Sequence, residues 1–155
     1  MDPVSKRRHV GTGRAIALAS LLLIGAAPAP DETARNRRVV TDFADIFYRQ
    51  KDVRRAFEKY VVPAYIQHNP GIADGRDAAV AALADKFASP TASFEVKRIL
   101  VDGDLAMIHL HARPRPDARG AAVADIYRLE KGRIVEHWDV LQPIPETSAN
   151  AHPMF

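Results

Sequence analysis

Between Asp31 and Gln50, hydrophobic residues recur at helical spacing. Val39, Val40, Phe43, Ile46 and Phe47 form a stripe, with arginines and acids opposite it. That spacing predicts an amphipathic helix. Asp52 is placed to cap a second, shorter helix that turns Val53, Ala56, Phe57 and Tyr60 inward, and Pro63 is expected to stop it. Ala64 to Asn69 reads as a short extended piece closed by Pro70-Gly71. Asp77 to Ala88 predicts a third, alanine-rich helix with Val80, Leu83 and Phe87 on one side.

From Ser93 onward the period changes to two. Phe94–Val101 and Leu105–Ala112 flank Asp102-Gly103, a strong signal for a hairpin turn. A polar loop, Arg113 to Gly120, follows. The run VADIYRLEKGRIVEHWDV, Val123 to Val140, then reads as two more strands joined at Glu130-Lys131-Gly132-Arg133. The tail after Pro143 is irregular. Helices first and four antiparallel strands afterwards argue an α+β fold, with the helices on one face of a curved sheet.

The length of 155 residues suits one domain with a real core. Residues 1–30 are expected to be a secretion signal and 31–155 the single domain. Lys6, Arg7, Arg8 and Arg14 form a basic start, and Ala15 to Gly25 a short apolar run. Ala26 to Pro30 is a small-residue stretch in which cleavage is expected, giving an exported protein, periplasmic or secreted. The apolar run is shorter than the roughly 20 residues that span a bilayer, so no stable membrane insertion is expected after its removal. The charge balance changes with the leader. Of 22 Lys+Arg and 19 Asp+Glu, the leader holds those four basic residues and Asp2, leaving 18 of each. A near-neutral domain loses the main support for nucleic-acid binding. The absence of cysteine excludes disulfides, thiol catalysis and thiolate metal sites.

Alternation on the strand after Gly120 puts Val123, Asp125, Tyr127 and Leu129 on one face, apolar except for Asp125. A carboxylate there must be paired, protonated or turned to a wet cavity. The pairing partner would be Arg128 or a histidine on an adjacent strand; the functional reading is a pocket acid. His109 and His111 share a strand face. They are candidates for acid–base work, or for metal ligation if Asp125 completes the set. His68 either lines a pocket mouth or holds the Pro70 turn. On the last strand Trp138 lies with Ile134, Glu136 and Val140, whereas His137 and Asp139 point the other way. Only one set faces a pocket; apolar character favours Trp138, although a bulge would reverse the choice. Tyr127 and Tyr65 serve either as hydroxyl donors or as ordinary packing. No phosphate-binding glycine loop, nucleophile elbow or Ser-His-Asp signature is present.

The order of elements, the YIQHNP stretch (Tyr65 to Pro70) and the DIYRLEKGRIVEHWDV run together resemble the SnoaL-like polyketide cyclases of the nuclear transport factor 2-like superfamily. The resemblance covers roughly Arg37 to Pro145. It implies a cone-shaped fold, three N-terminal helices on a strongly bent, mainly antiparallel sheet around an apolar pocket, as a homodimer. By position, Asp125 falls where ketosteroid isomerases place a pocket carboxylic acid, kept protonated by its surroundings. Asn69 falls where they carry a general-base aspartate, and an amide cannot take that proton. The resemblance therefore implies cyclisation, isomerisation or dehydration of a small apolar carbonyl compound by acid–base catalysis, without cofactor or metal. Asp125 would be the acid, His109 or His68 would move the proton, and Tyr65, Asn69, Tyr127, Trp138 and Asp139 would contact substrate. The alternative it allows is an exported binding protein with the same pocket and no turnover.

Overall fold

Helix α1, Pro30–Ala44, passes without a break into a π-helical turn, Asp45–Arg49, closed by a Gln50 N–H to Asp45 carbonyl bond of 3.0 Å. The computed structural model describes residues 30–155, so the expected leader lies outside the described residues apart from Pro30, which opens α1. The wider turn has a sequence cause. Ile46, Phe47 and Tyr48 are all buried, and three consecutive residues of a regular α-helix cannot share one face. Single π turns of this kind recur at functional sites.

Asp52 caps α2 (Val53–Tyr60) by accepting the Arg55 N–H at 3.1 Å, as its position predicts. The chain then enters strand β1 (Val61–Gln67) directly. The sequence reading ended α2 at Pro63, but Pro63 lies inside β1 instead. It is tolerated because β1 is a sheet edge, where a missing N–H leaves no neighbour unpaired. Helix α3 (Arg76–Ala88) follows, then β2 (Ser93–Asp102), β3 (Leu105–Arg113), β4 (Ala121–Glu130) and β5 (Arg133–Pro143). Strand order is β1-β5-β4-β3-β2, antiparallel throughout except for β1, which runs parallel to β5. The expected α+β architecture of three helices on a mainly antiparallel sheet is therefore present, with five strands rather than four and a short piece.

Two turns set the hairpins. Lys131 and Gly132 both have positive φ, +51° and +76°, the two-residue turn that matches strand twist. In the other hairpin the turn residues are Gly103 and Asp104, one position later than the Asp102-Gly103 reading. Helix α1 clamps this turn: Thr33 accepts the Gly103 N–H at 3.0 Å and buried Asn36 donates to its carbonyl at 2.9 Å.

Three register shifts bend the sheet: between Val96 and Arg98 in β2, Arg128 and Leu129 against β5, and Val61 and Ile66 in β1. The core fills the concave side. Phe47 stacks on Phe87 at 4.4 Å, Phe87 on Phe94 at 4.0 Å, and Phe43 meets Tyr127 edge-on at 5.3 Å. These rings join α1, α3 and the sheet into one cluster. No helix among the described residues is long and apolar enough to cross a membrane.

Candidate active site

Between the helices and the inner face of the sheet lies a cavity of about 260 Å³. Phe47, Phe57, Phe87, Phe94, Leu110 and Val123 supply apolar wall, and exposed Lys86 reaches it from α3. The polar groups come from β1 and the Asn69 turn after it, from β4 and from β5, with Tyr48 from the π turn.

The register explains the convergence. Asp125 on β4 lies opposite Asp139 on β5, and Tyr127 opposite His137. All four face the cavity. The β-bulge decides this. Leu129 pairs with Ile134 and Arg128 with Glu136, which leaves Val135 as an extra residue. Beyond it the alternation flips, so Ile134 and His137, three apart, are both buried. The face carrying His137 and Asp139 therefore turns inward, and the expectation that Trp138 lines the pocket is overturned. Trp138 stacks instead on His68 on the far side of the sheet, rings 4.7 Å apart at 7°.

Asp125, 9% exposed, is held on both oxygens. Tyr48 donates to Oδ2 at 2.5 Å, and Tyr48 and Tyr127 share a hydroxyl contact of 3.0 Å. Oδ1 meets Nε2 of His137 at 3.1 Å. The pairing partner is thus the histidine on an adjacent strand, not Arg128, which bonds Glu130 and Glu136. His137 Nδ1 lies 2.8 Å from Gln67 Oε1, and its ring sits 4.9 Å from that of Tyr127. Asp139 accepts from the Asn69 amide, whose own oxygen takes the Gly71 N–H at 2.8 Å. Asn69 thus serves the second carboxylate and the Pro70-Gly71 turn.

The phenols are electrostatically distinct. Burial, and then the charge of Asp125, push Tyr48 and Tyr127 well above the ordinary phenol range. Burial first, then Asp125 and Asp139, push Tyr65 the same way, while Gln67 opposes the rise. All three stay protonated donors across the physiological range.

Other expected residues lie elsewhere. His109 and His111 are on the outer face of β3, since Ile108 and Leu110 pair with Asp125 and Val123 on the inner one. His109 contacts Arg98 at 3.0 Å, and His111 packs on Phe155 at 4.6 Å. The metal set of His109, His111 and Asp125 cannot assemble, because the sheet lies between its members. His68 is also outside; its Nε2 meets Glu136 at 2.8 Å, and with Arg128 it holds that carboxyl below the usual range. The structure brings Asp125, Tyr65, Asn69, Tyr127 and Asp139 together and leaves His68, His109 and Trp138 outside. Among the described residues one metal-sized set exists: Asp125, His137 and Asp139 each offer a ligand atom, all within 4.8 Å of one another. A hydrogen bond already joins two of its members.

Three residues of the cluster were missed from sequence. His137 was assigned the wrong face. Tyr48 sits off the helical period, one place after Phe47. Gln67 had a signal, since alternation places it on one face between Tyr65 and Asn69, both candidates.

The profile of the SnoaL-like domain family matches residues 32–137, the segment carrying all of these groups except Asp139. No curated protein matches the chain. Among solved structures, a nuclear transport factor 2-like protein of unknown function from Mesorhizobium loti is similar at 22% identity and TM-score 0.64, over 76% of this chain and 99% of that one. A protein described as a SnoaL-like polyketide cyclase from Jannaschia sp. CCS1 is similar at 18% identity and TM-score 0.58, covering 76% and 91%. One described as a ketosteroid isomerase from Kribbella flavida DSM 17836 gives 16% and 0.59, covering 77% and 86%. At these identities the likeness establishes the cone-like fold and nothing finer. With the profile spanning most of the chain, this protein belongs to the SnoaL-like domain family.

Proposed function

We propose that the cavity is the active site of an acid–base enzyme acting on a small, largely apolar carbonyl compound. One observation carries the reading. Two carboxylates, Asp125 and Asp139, stand opposite each other on adjacent strands of one cavity, with unlike partners. Asp125 is paired with an imidazole and a phenol; Asp139 has only the amide of Asn69. Unlike surroundings divide a carboxylate pair into an acid and a base.

Asp139 would take the proton next to the carbonyl, and the C–H electron pair would move into the carbonyl system. The proton held between Asp125 and His137 would pass to the oxygen, giving the enol. The enol O–H then returns its proton to the Asp125–His137 pair as the enol carbon attacks a second carbonyl, whose oxygen takes the proton from Asp139 as the ring closes. In isomerisation the O–H proton returns in the same way, a remote carbon takes the proton from Asp139 and the double bond shifts. Where a β-hydroxyl is present, its C–O bond breaks instead and it leaves as water with the proton from Asp139. His109 and His68, the sequence candidates for moving the proton, have no part in this scheme because they face away from the cavity.

The test is deuterium uptake at the carbon next to the carbonyl, followed by NMR in D2O for a panel of small cyclic ketones. Wild-type protein should catalyse exchange on at least one member. Binding without exchange would support the second reading, a non-catalytic ligand carrier. That reading is favoured by one feature: Tyr48, Asn69 and His137 already bond within the protein.

The same proposal includes a homodimer. On the outer face, Leu100, Met107, Ile126 and Trp138 form one cross-strand row, an apolar stripe over four strands. Light scattering at micromolar concentration should give twice the chain mass; a monomer mass would rule the dimer out.

A further inference from the structure

Gln67 is held at its backbone N–H and at its side-chain oxygen. Its backbone N–H donates to Asp74 at 2.8 Å, and β1 and β5 place it in register with His137. Its Oε1 receives the Asn69 backbone N–H at 2.9 Å and lies 2.8 Å from His137 Nδ1. A backbone N–H only donates, so the atom facing it is the amide oxygen. The other side of the amide is then the NH2, which fits the way Gln67 counters the rise at the Tyr65 phenol. An amide oxygen only accepts. His137 Nδ1 must therefore carry a hydrogen.

This determines the far side of the ring. With Nδ1 protonated, a neutral imidazole presents a bare lone pair at Nε2, and that lone pair faces Asp125 Oδ1 at 3.1 Å. An ionised carboxylate also presents only lone pairs. The contact becomes a hydrogen bond only if one further proton resides there, on Oδ1 or on Nε2. The pair then carries no net charge, and one proton more than an Nε2–H imidazole beside an ionised Asp125.

We infer that Gln67 is a positioning residue: by accepting from Nδ1–H it keeps a transferable proton on the Asp125–His137 pair. This deepens the acid–base reading above and rests on it for its role in turnover, though not for the tautomer. Without an acceptor beside Nδ1, a hydrogen there would be buried and unsatisfied. The ring would then move its hydrogen to Nε2 and donate to an ionised Asp125. The structure would barely change, yet the pair would have lost the proton that the reaction needs.

The experiment is a long-range 15N–1H correlation spectrum of the histidine rings in the whole chain at neutral pH, for wild type, Gln67→Leu and Gln67→Glu. Nδ1 of His137 should be protonated in wild type and in Gln67→Glu, whose carboxylate also accepts. It should be unprotonated in Gln67→Leu. An unprotonated Nδ1 in wild type overturns the inference, and so does a Gln67→Leu ring unchanged from wild type. Should Gln67→Leu fail to fold, wild type and Gln67→Glu still decide. On any ketone that wild type exchanges, Gln67→Leu should be slower by about 10²-fold, with Gln67→Glu recovering most of the rate. Equal losses in both variants would mark a packing role only and overturn the assignment. If no ketone is exchanged at all, the proposed reaction fails while the ring spectrum still settles the tautomer.

Discussion

Asp139→Asn is expected to lower the rate of exchange next to the carbonyl by about 10²–10⁴-fold, the usual worth of a positioned base, and to leave the fold intact. The substitution is nearly isosteric. Asp139 is only partly buried, and its one side-chain hydrogen bond in the structure comes from the Asn69 amide, to which the new group can still present an oxygen. Asp125→Asn should cost a comparable factor in rate with a larger loss of stability, because it disturbs the bonds to Tyr48 and His137 together. Rates of both variants on the same ketone, with urea unfolding of each, separate the two effects. Exchange in Asp139→Asn at the wild-type rate would remove it as the base.

The second large effect is on stability at high pH. Tyr48, Tyr65 and Tyr127 are buried, and burial raises all three phenols. In the unfolded chain each phenol ionises near pH 10. Above that pH the unfolded state gives up protons that the native state retains, so unfolding becomes easier as pH rises. The contribution is fully present below about pH 10 and is lost progressively above it. Each phenol contributes about 1.4 kcal/mol per pH unit, so three acting together give a slope of about 4 kcal/mol per unit. Urea unfolding between about pH 9 and 11.5 measures it. Stability that stays level through this range would show that the phenols ionise in place and are not shielded as their positions suggest. Absorbance of phenolate should rise together with loss of helix signal, since ionisation and unfolding are the same event for these side chains.

Much of the fold was legible because its signals are local. The Phe43 and Phe47 spacing, the Asp52 cap and the Lys131-Gly132 turn each act within a few residues, and each formed where expected. The candidate site was only partly legible. Alternation on β4 put Asp125 and Tyr127 on one face, and that face lines the cavity, since β3 and β4 pair without interruption from Leu105 to Ala112. It failed on β5, where the extra residue Val135 exchanges the faces and brings His137 and Asp139 inward in place of Trp138. Nothing in the Ile134–Val140 pattern distinguishes a bulged strand from a regular one; the bulge comes from pairing with β4 and β1. His109 was judged by its chemistry, and its strand face, set by the burial of Ile108 and Leu110, decided against it. The Tyr48 contact with Asp125 spans 77 positions and depends on a π turn, beyond the reach of a helical-period argument.

Substituted phenols mimic an enolate in shape and in the charge on oxygen, so they probe both halves of the site together. A crystal structure with such a phenol bound would show whether one enolate reaches both carboxylates. The ring should lie between Phe47 and Phe87 on one side and the sheet on the other. Its oxygen should be within hydrogen-bond reach of Asp125, and an edge carbon beside the Asp139 carboxylate. A phenol bound with its oxygen away from Asp125, or settled on the outer face near His109 and Trp138, would contradict the account.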